Sequence, residues 1–187
     1  FINVFNCDGK VTVFTTDTGT KGPYDYVEVQ PIGGADHEGR IGVQLKTSSE
    51  ILSYREYWGS IRVQPASNSG KLAVYNHVLL EKYLRSIAEV DYDWAQPNRT
   101  AAYALEAVKA QTVAARSYAV AKNAVLYDNQ NDQCYVGYTG RSAPGATPFE
   151  ALYPGIPAAA EEIIIARDLM LAELTGGEQR LLGRGLL

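Results

Sequence analysis

Two carboxylates stand close together where the chain leaves one helical pattern and has yet to begin the next. They are Glu89 and Asp91, in the run Glu89-Val90-Asp91-Tyr92-Asp93-Trp94. A carboxyl group can give a proton, take one up or attack a carbon, and its surroundings decide which. On composition alone, the plain reading of either is a solvated carboxylate at a helix end. A second polar set lies downstream. Lys109, Thr112 and Arg116 follow an i, i+3, i+7 spacing and share one helix face, while Gln111 and Tyr118 share a neighbouring face. Metal chemistry has little to draw on. Cys7 and Cys134 lie far from His37 and His77, and no local pair of ligands has zinc spacing. The two cysteines can close one disulfide in an oxidising compartment, but two cysteines give no framework.

The elements that must hold these residues change character along the chain. From Phe1 to about Val74 the pattern is short and strand-like. Val11, Val13 and Phe14 begin one apolar run and Tyr26, Val27 and Val29 make another. Ile41, Val43 and Leu45 alternate cleanly, as do Ile61 and Val63. Asp8-Gly9 and Ser69-Gly70 sit between such runs as turn signals. A helical pattern follows, in which Leu79, Leu80, Tyr83, Leu84 and Ile87 form one face opposite Glu81, Lys82 and Arg85. Asp91 to Thr100 reads as a loop, with Pro97 barring helix; Asn98-Arg99-Thr100 fits a glycosylation acceptor, which matters only in a eukaryotic source. Ala101 to Leu126 has no Gly or Pro and is rich in Ala, the best helix former. Leu105, Val108, Thr112, Ala115 and Ala119 give it a stripe of small and medium residues suited to close packing.

Composition narrows the classes of partner. The chain has 187 residues, 46% hydrophobic and 20% charged, enough for one domain with a sizeable core or a domain with an appendage. A net charge of −4 makes no electrostatic case for DNA, RNA or an anionic membrane. No apolar run approaches the roughly 20 residues of a membrane span. The chain starts at Phe1 with no initiator Met and no signal sequence, consistent with a processed or cut start. Thirteen Tyr against four Phe suits either strand faces or contacts to sugars at an extracellular surface.

Two blocks carry a specific resemblance. Leu80-Glu81-Lys82-Tyr83-Leu84-Arg85-Ser86-Ile87 is followed by Leu105-Glu106-Ala107-Val108-Lys109-Ala110-Gln111-Thr112-Val113-Ala114-Ala115-Arg116-Ser117-Tyr118-Ala119. The second is nearly the "ALKAQAVAARTYA" helix of the stage II sporulation protein D family of lytic transglycosylases and amidase enhancers, and the first resembles its "LEDYL" helix. Tyr57 to Val63 and Gly70 to Asn76 are similar to two of its strands, and Gln133-Cys134-Tyr135-Val136-Gly137 is similar to its "QVYxG" motif. The resemblance covers about Tyr54 to Tyr138, with 1–53 as a β-rich extension of the sheet and 139–187 as a linker, an atypical helix and a tail.

The resemblance implies a bacterial cell-wall protein, secreted or on the envelope exterior, whose substrate is the glycan strand of peptidoglycan. In active members one carboxylic acid protonates the leaving glycosidic oxygen and the sugar's own 6-hydroxyl attacks, leaving an anhydro end. A single residue serves as acid and then base, so no carboxylate pair is needed. Aligned without gaps from Tyr83, that acid falls on Asp91; aligned backwards from Trp94, it falls on Glu89, which has the right side-chain length and is preferred. Lys109, Gln111, Arg116, Tyr118, Gln133 and Tyr135 carry over as substrate-binding positions. For Gln111 and Arg116 the alternative is to satisfy buried carbonyls of the β-rich half.

Two departures matter. The stretch Tyr127 to Asp132 lacks the Cys and His of zinc-binding members, so no structural zinc and no other cofactor is expected. Beyond Tyr138 the family's Gly-rich segment has no counterpart; Ser142 to Pro148 reads as a linker, Pro157 to Leu174 as an amphipathic helix and Leu181 to Leu187 as a tail. The alternative function is therefore a non-catalytic amidase enhancer or wall-binding module, with a cell-wall amidase as partner. Glu89 or Asp91 at the bottom of a groove lined by the second helix favours the enzyme; an acid pointing into open solvent would sink it. The expected fold is α+β: a β-rich N-terminal half packed against two helices, the second long and Ala-rich, with an atypical C-terminal helix.

Overall fold

A computed structural model describes residues 2–32, 39–46, 51–67, 70–89, 102–129, 131–138 and 156–161. Asp91 and the expected 91–100 loop, His37, Ser69, the 142–148 linker, the 162–174 part of the expected last helix and the 181–187 tail lie outside the described residues. The fold is mixed α+β: among the described residues, a β-rich N-terminal half with three small sheets is followed by three helices. Contacts divide the chain into two compact units, residues 1–41 with 58–78 and residues 42–57 with 79–187.

The first unit holds two antiparallel three-stranded sheets. Strands β1 (Ile2–Cys7), β2 (Lys10–Thr15) and β3 (Gly19–Tyr24) form a meander. Asp8 and Gly9 join β1 to β2 with φ of 52° and 75°, the paired positive values of the tight hairpin turn that their types predict. The second sheet has the order β4 (Val27–Val29), β7 (Ser60–Pro65), β8 (Leu72–His77). Val11 of β2 and Trp58, Ile61 and Val63 around β7 are buried, and β2 packs on β7. In the β4–β7 register Glu28 lies opposite Arg62. Its carboxylate accepts from Ser60 Oγ at 2.7 Å and from Arg62 at 3.0 Å, while the Arg62 guanidinium lies 4.4 Å from the centre of the Tyr26 ring. Those hydrogen bonds, the Ser60 hydroxyl first, draw the Glu28 pKa down to about 2.

The second unit takes most of β5 (Arg40–Lys46) and of β6 (Ile51–Trp58), which form a two-stranded sheet, and all the helices. Helix α1 spans only Leu80–Leu84. The helical spacing reaches to Ile87, but the backbone departs earlier for a physical reason. Ala88 N–H donates to the Cys134 carbonyl at 2.9 Å and Val136 N–H to the Ser86 carbonyl at 3.0 Å, leaving Ile87 in a bridge with Tyr135. Helix α2 (Ala102–Lys122) buries Val108, Thr112, Ala115 and Ala119, the expected stripe. Thr112 is tolerated inside because its hydroxyl donates to the Val108 carbonyl. The helix stops before Leu126 because Asn123 turns left-handed at φ 42° and its N–H closes on the Ala119 carbonyl, an αL cap. A third helix runs from residue 156 to at least 161; Ile156 and Ala159 bury against Val108, with Ala88, Leu105 and Val136 around them. The segment 54–138 thus contributes to both units. Cys7 and Cys134 are free thiols.

Candidate active site

Glu89 follows the short bridge that ends α1, so its position is set by the pairing of 86–88 with 134–136. Its two carboxyl oxygens are held separately. Oε1 accepts the backbone N–H of Cys134 at 3.2 Å, and Oε2 accepts Gln111 Nε2 of α2 at 2.6 Å. The residue itself is exposed. Three chain segments thus converge on one accessible carboxyl group.

The strand-like segment 133–138 is the frame of the site. Gln133 is buried, and its amide oxygen accepts the Tyr83 hydroxyl at 2.6 Å. Tyr135 is buried with its ring 5.0 Å from Tyr83 and 6.1 Å from Tyr57. Burial raises the pKa of both Tyr83 and Tyr135, so these phenols stay protonated. On the far side of the segment Tyr138 N–H donates to the Glu56 carbonyl of β6 at 2.7 Å. Gly137 permits that approach: its φ is +73°, and a Cβ there would meet the Glu56 oxygen at 2.7 Å. Gln133 and Tyr135 therefore stand behind the carboxyl group as supports and not on the accessible face.

Of the remaining candidates, Gln111 is hydrogen-bonded to Glu89. Lys109 pairs with Glu106 at 2.9 Å, one turn back on the same helix. Arg116 pairs with Glu81 of α1 at 2.9 Å. Tyr118 donates to Asp132 at 2.5 Å. Gln111 and Arg116 therefore each donate to a carboxylate, Glu89 and Glu81 respectively.

Asp132 was not singled out from the sequence, yet it ties the loop before Gln133 to α2. Its side chain is only 3% exposed and accepts from Lys122, from Tyr118 and from the Tyr127 N–H. The Lys122 bond first, then Tyr118, lowers its pKa to about 2. Arg55 of β6 plays a similar part, reaching Asp128 at 2.7 Å and the Tyr135 carbonyl at 3.5 Å. Nothing in spacing marks these pairs, since their partners are brought together only by the fold. Among the described residues no group of three His, Cys, Asp or Glu is placed to hold a metal ion, and no helix is long and apolar enough to cross a membrane.

The stage II sporulation protein family (SpoIID) matches the chain over residues 68–164, just over half of its length. The chain belongs to that family, which is linked to peptidoglycan remodelling. The match extends past Tyr138, so the segment 139–164, expected to depart from the family, falls within it. No curated protein and no solved structure matches the chain.

Proposed function

We propose that this chain cleaves the glycan strands of peptidoglycan by lytic transglycosylation, outside the cytoplasmic membrane, with Glu89 as the single acid and base. The observation that carries this reading is the hold on Glu89: one oxygen on the Cys134 N–H, the other on Gln111 of the second helix. Glu89 gives its proton to the glycosidic oxygen as the bond from C1 to that oxygen breaks. The 6-hydroxyl oxygen of the same sugar bonds to C1, and its proton passes to the carboxylate. The acid is thereby regenerated and the product carries an anhydro end. Lys109, Arg116 and Tyr118, each anchored to an internal carboxylate, present the flank of α2 along which the strand would lie.

A second reading, a non-catalytic amidase enhancer or wall-binding module, draws on the exposure of Glu89, whose carboxyl group is clamped but not enclosed. Purified glycan strands, with and without stem peptides, digested and examined by mass spectrometry, separate the two. Anhydro ends that disappear in Glu89→Gln support the enzyme and its acid. Their loss in Asp91→Asn alone moves the acid to Asp91. Binding without cleavage by the wild-type chain supports the second reading.

A further inference from the structure

An acid that turns into a base midway through a reaction needs neighbours that fit both of its forms. The Cys134 backbone N–H can only donate, and at 3.2 Å from Oε1 it occupies that oxygen in either form. Oε2 is the carboxyl oxygen whose neighbour, the Gln111 amide, can either donate or accept. A primary amide is a neutral side chain that can answer both states. Its nitrogen donates to a carboxylate; after a half-turn about its last bond, its oxygen accepts from a carboxylic acid. The separation of 2.6 Å lies within the ordinary range of O–H···O contacts and just below that of N–H···O.

We propose that Gln111 is an amide switch whose orientation follows the protonation state of Glu89, a positioning role that rests on the transglycosylase reading. With Glu89 protonated, Gln111 turns its oxygen to the acid; as the proton leaves for the glycosidic oxygen, the amide turns and donates to the new carboxylate. Among the described residues, the neighbouring titratable groups have partners of their own. Tyr83, from α1, gives its hydroxyl to Gln133. Asp132 is held by Lys122 and Tyr118, and Lys109 on α2 is paired with Glu106. The Cys134 thiol belongs to the residue whose N–H already holds Oε1.

The test is a pH titration of the full wild-type chain, labelled with ¹³C and ¹⁵N, followed by NMR. The Gln111 side-chain amide signals should move with the same midpoint as the Glu89 carboxyl carbon. A Glu89 carboxyl that titrates while the Gln111 amide stays still overturns the switch. A second arm uses Gln111→Glu, in which two carboxyl groups share one proton; the pH–rate profile of glycan cleavage should move up by about one to two pH units. An unmoved profile overturns the proposal. Should the wild-type chain cleave no glycan, the transglycosylase reading falls, and the NMR arm still decides the switch.

Discussion

Gly137 turns with φ +73° against a carbonyl oxygen of β6, and the substitution Gly137→Ala meets both obstacles at once. A left-handed alanine and a forced contact together should cost about 2–4 kcal/mol, read as a lower urea midpoint. Ser86 is the opposite case. Its hydroxyl is fully buried and has no hydrogen-bond partner among the described residues, while its backbone does the bonding. Ser86→Ala should therefore leave stability unchanged or raise it by about 1 kcal/mol, and a clear loss would show that the hydroxyl has a partner in solution. The roles of these residues divide by what sequence can carry. Asp8-Gly9 announces its turn because two positive φ values need those residue types. Gly137 reads as part of a motif, but its reason, the oxygen of Glu56, is eighty-one positions away.

Among elements, the β4–β7 pair makes a testable link between charge and stability. The Glu28 pKa is lowered from 4.5 to about 2, so its stabilisation is complete above pH 4.5 and is lost as the pH falls towards 2. Arg62 is about one-third exposed, so the contribution is discounted to about 1–2 kcal/mol. Glu28→Gln should lower the urea midpoint at pH 7, and the gap from wild type should close towards pH 2. Elements with strong internal periodicity were legible: β5 and β7 by alternation, α2 by its unbroken Ala-rich stripe. Strand β3, Gly19-Thr20-Lys21-Gly22-Pro23-Tyr24, has no such pattern and exists through its pairing with β2. The short α1 misled for the reverse reason. Its apolar spacing continues to Ile87, but Ser86 and Ala88 gain backbone partners in 134–136 that a helix would deny them.

For the whole molecule, the acid and both of its hydrogen-bond partners lie in the second unit, whereas the Glu28 cluster lies in the first. Glu28→Gln should thus lower the melting temperature while leaving the rate of the proposed glycan cleavage at 25 °C within about twofold of wild type. A parallel loss of cleavage would show that the two units do not act independently. The α+β class and the sporulation-family signature were both readable in the chain, but its division was not. The second unit draws residues 42–57 from between two strands of the first, and only folded contacts reveal that.

That interleaving sets an order of events during synthesis. Arg55 emerges 73 residues ahead of Asp128, which at about 5–20 residues per second is a wait of about 4–15 s. The strands on either side of it, β4 and β7, have each other as soon as residue 65 is out, and β8 follows within a dozen residues. The nascent chain therefore closes its first unit around an excursion whose guanidinium has only water for company. The acid site is completed last, when the segment carrying Cys134 arrives to claim it.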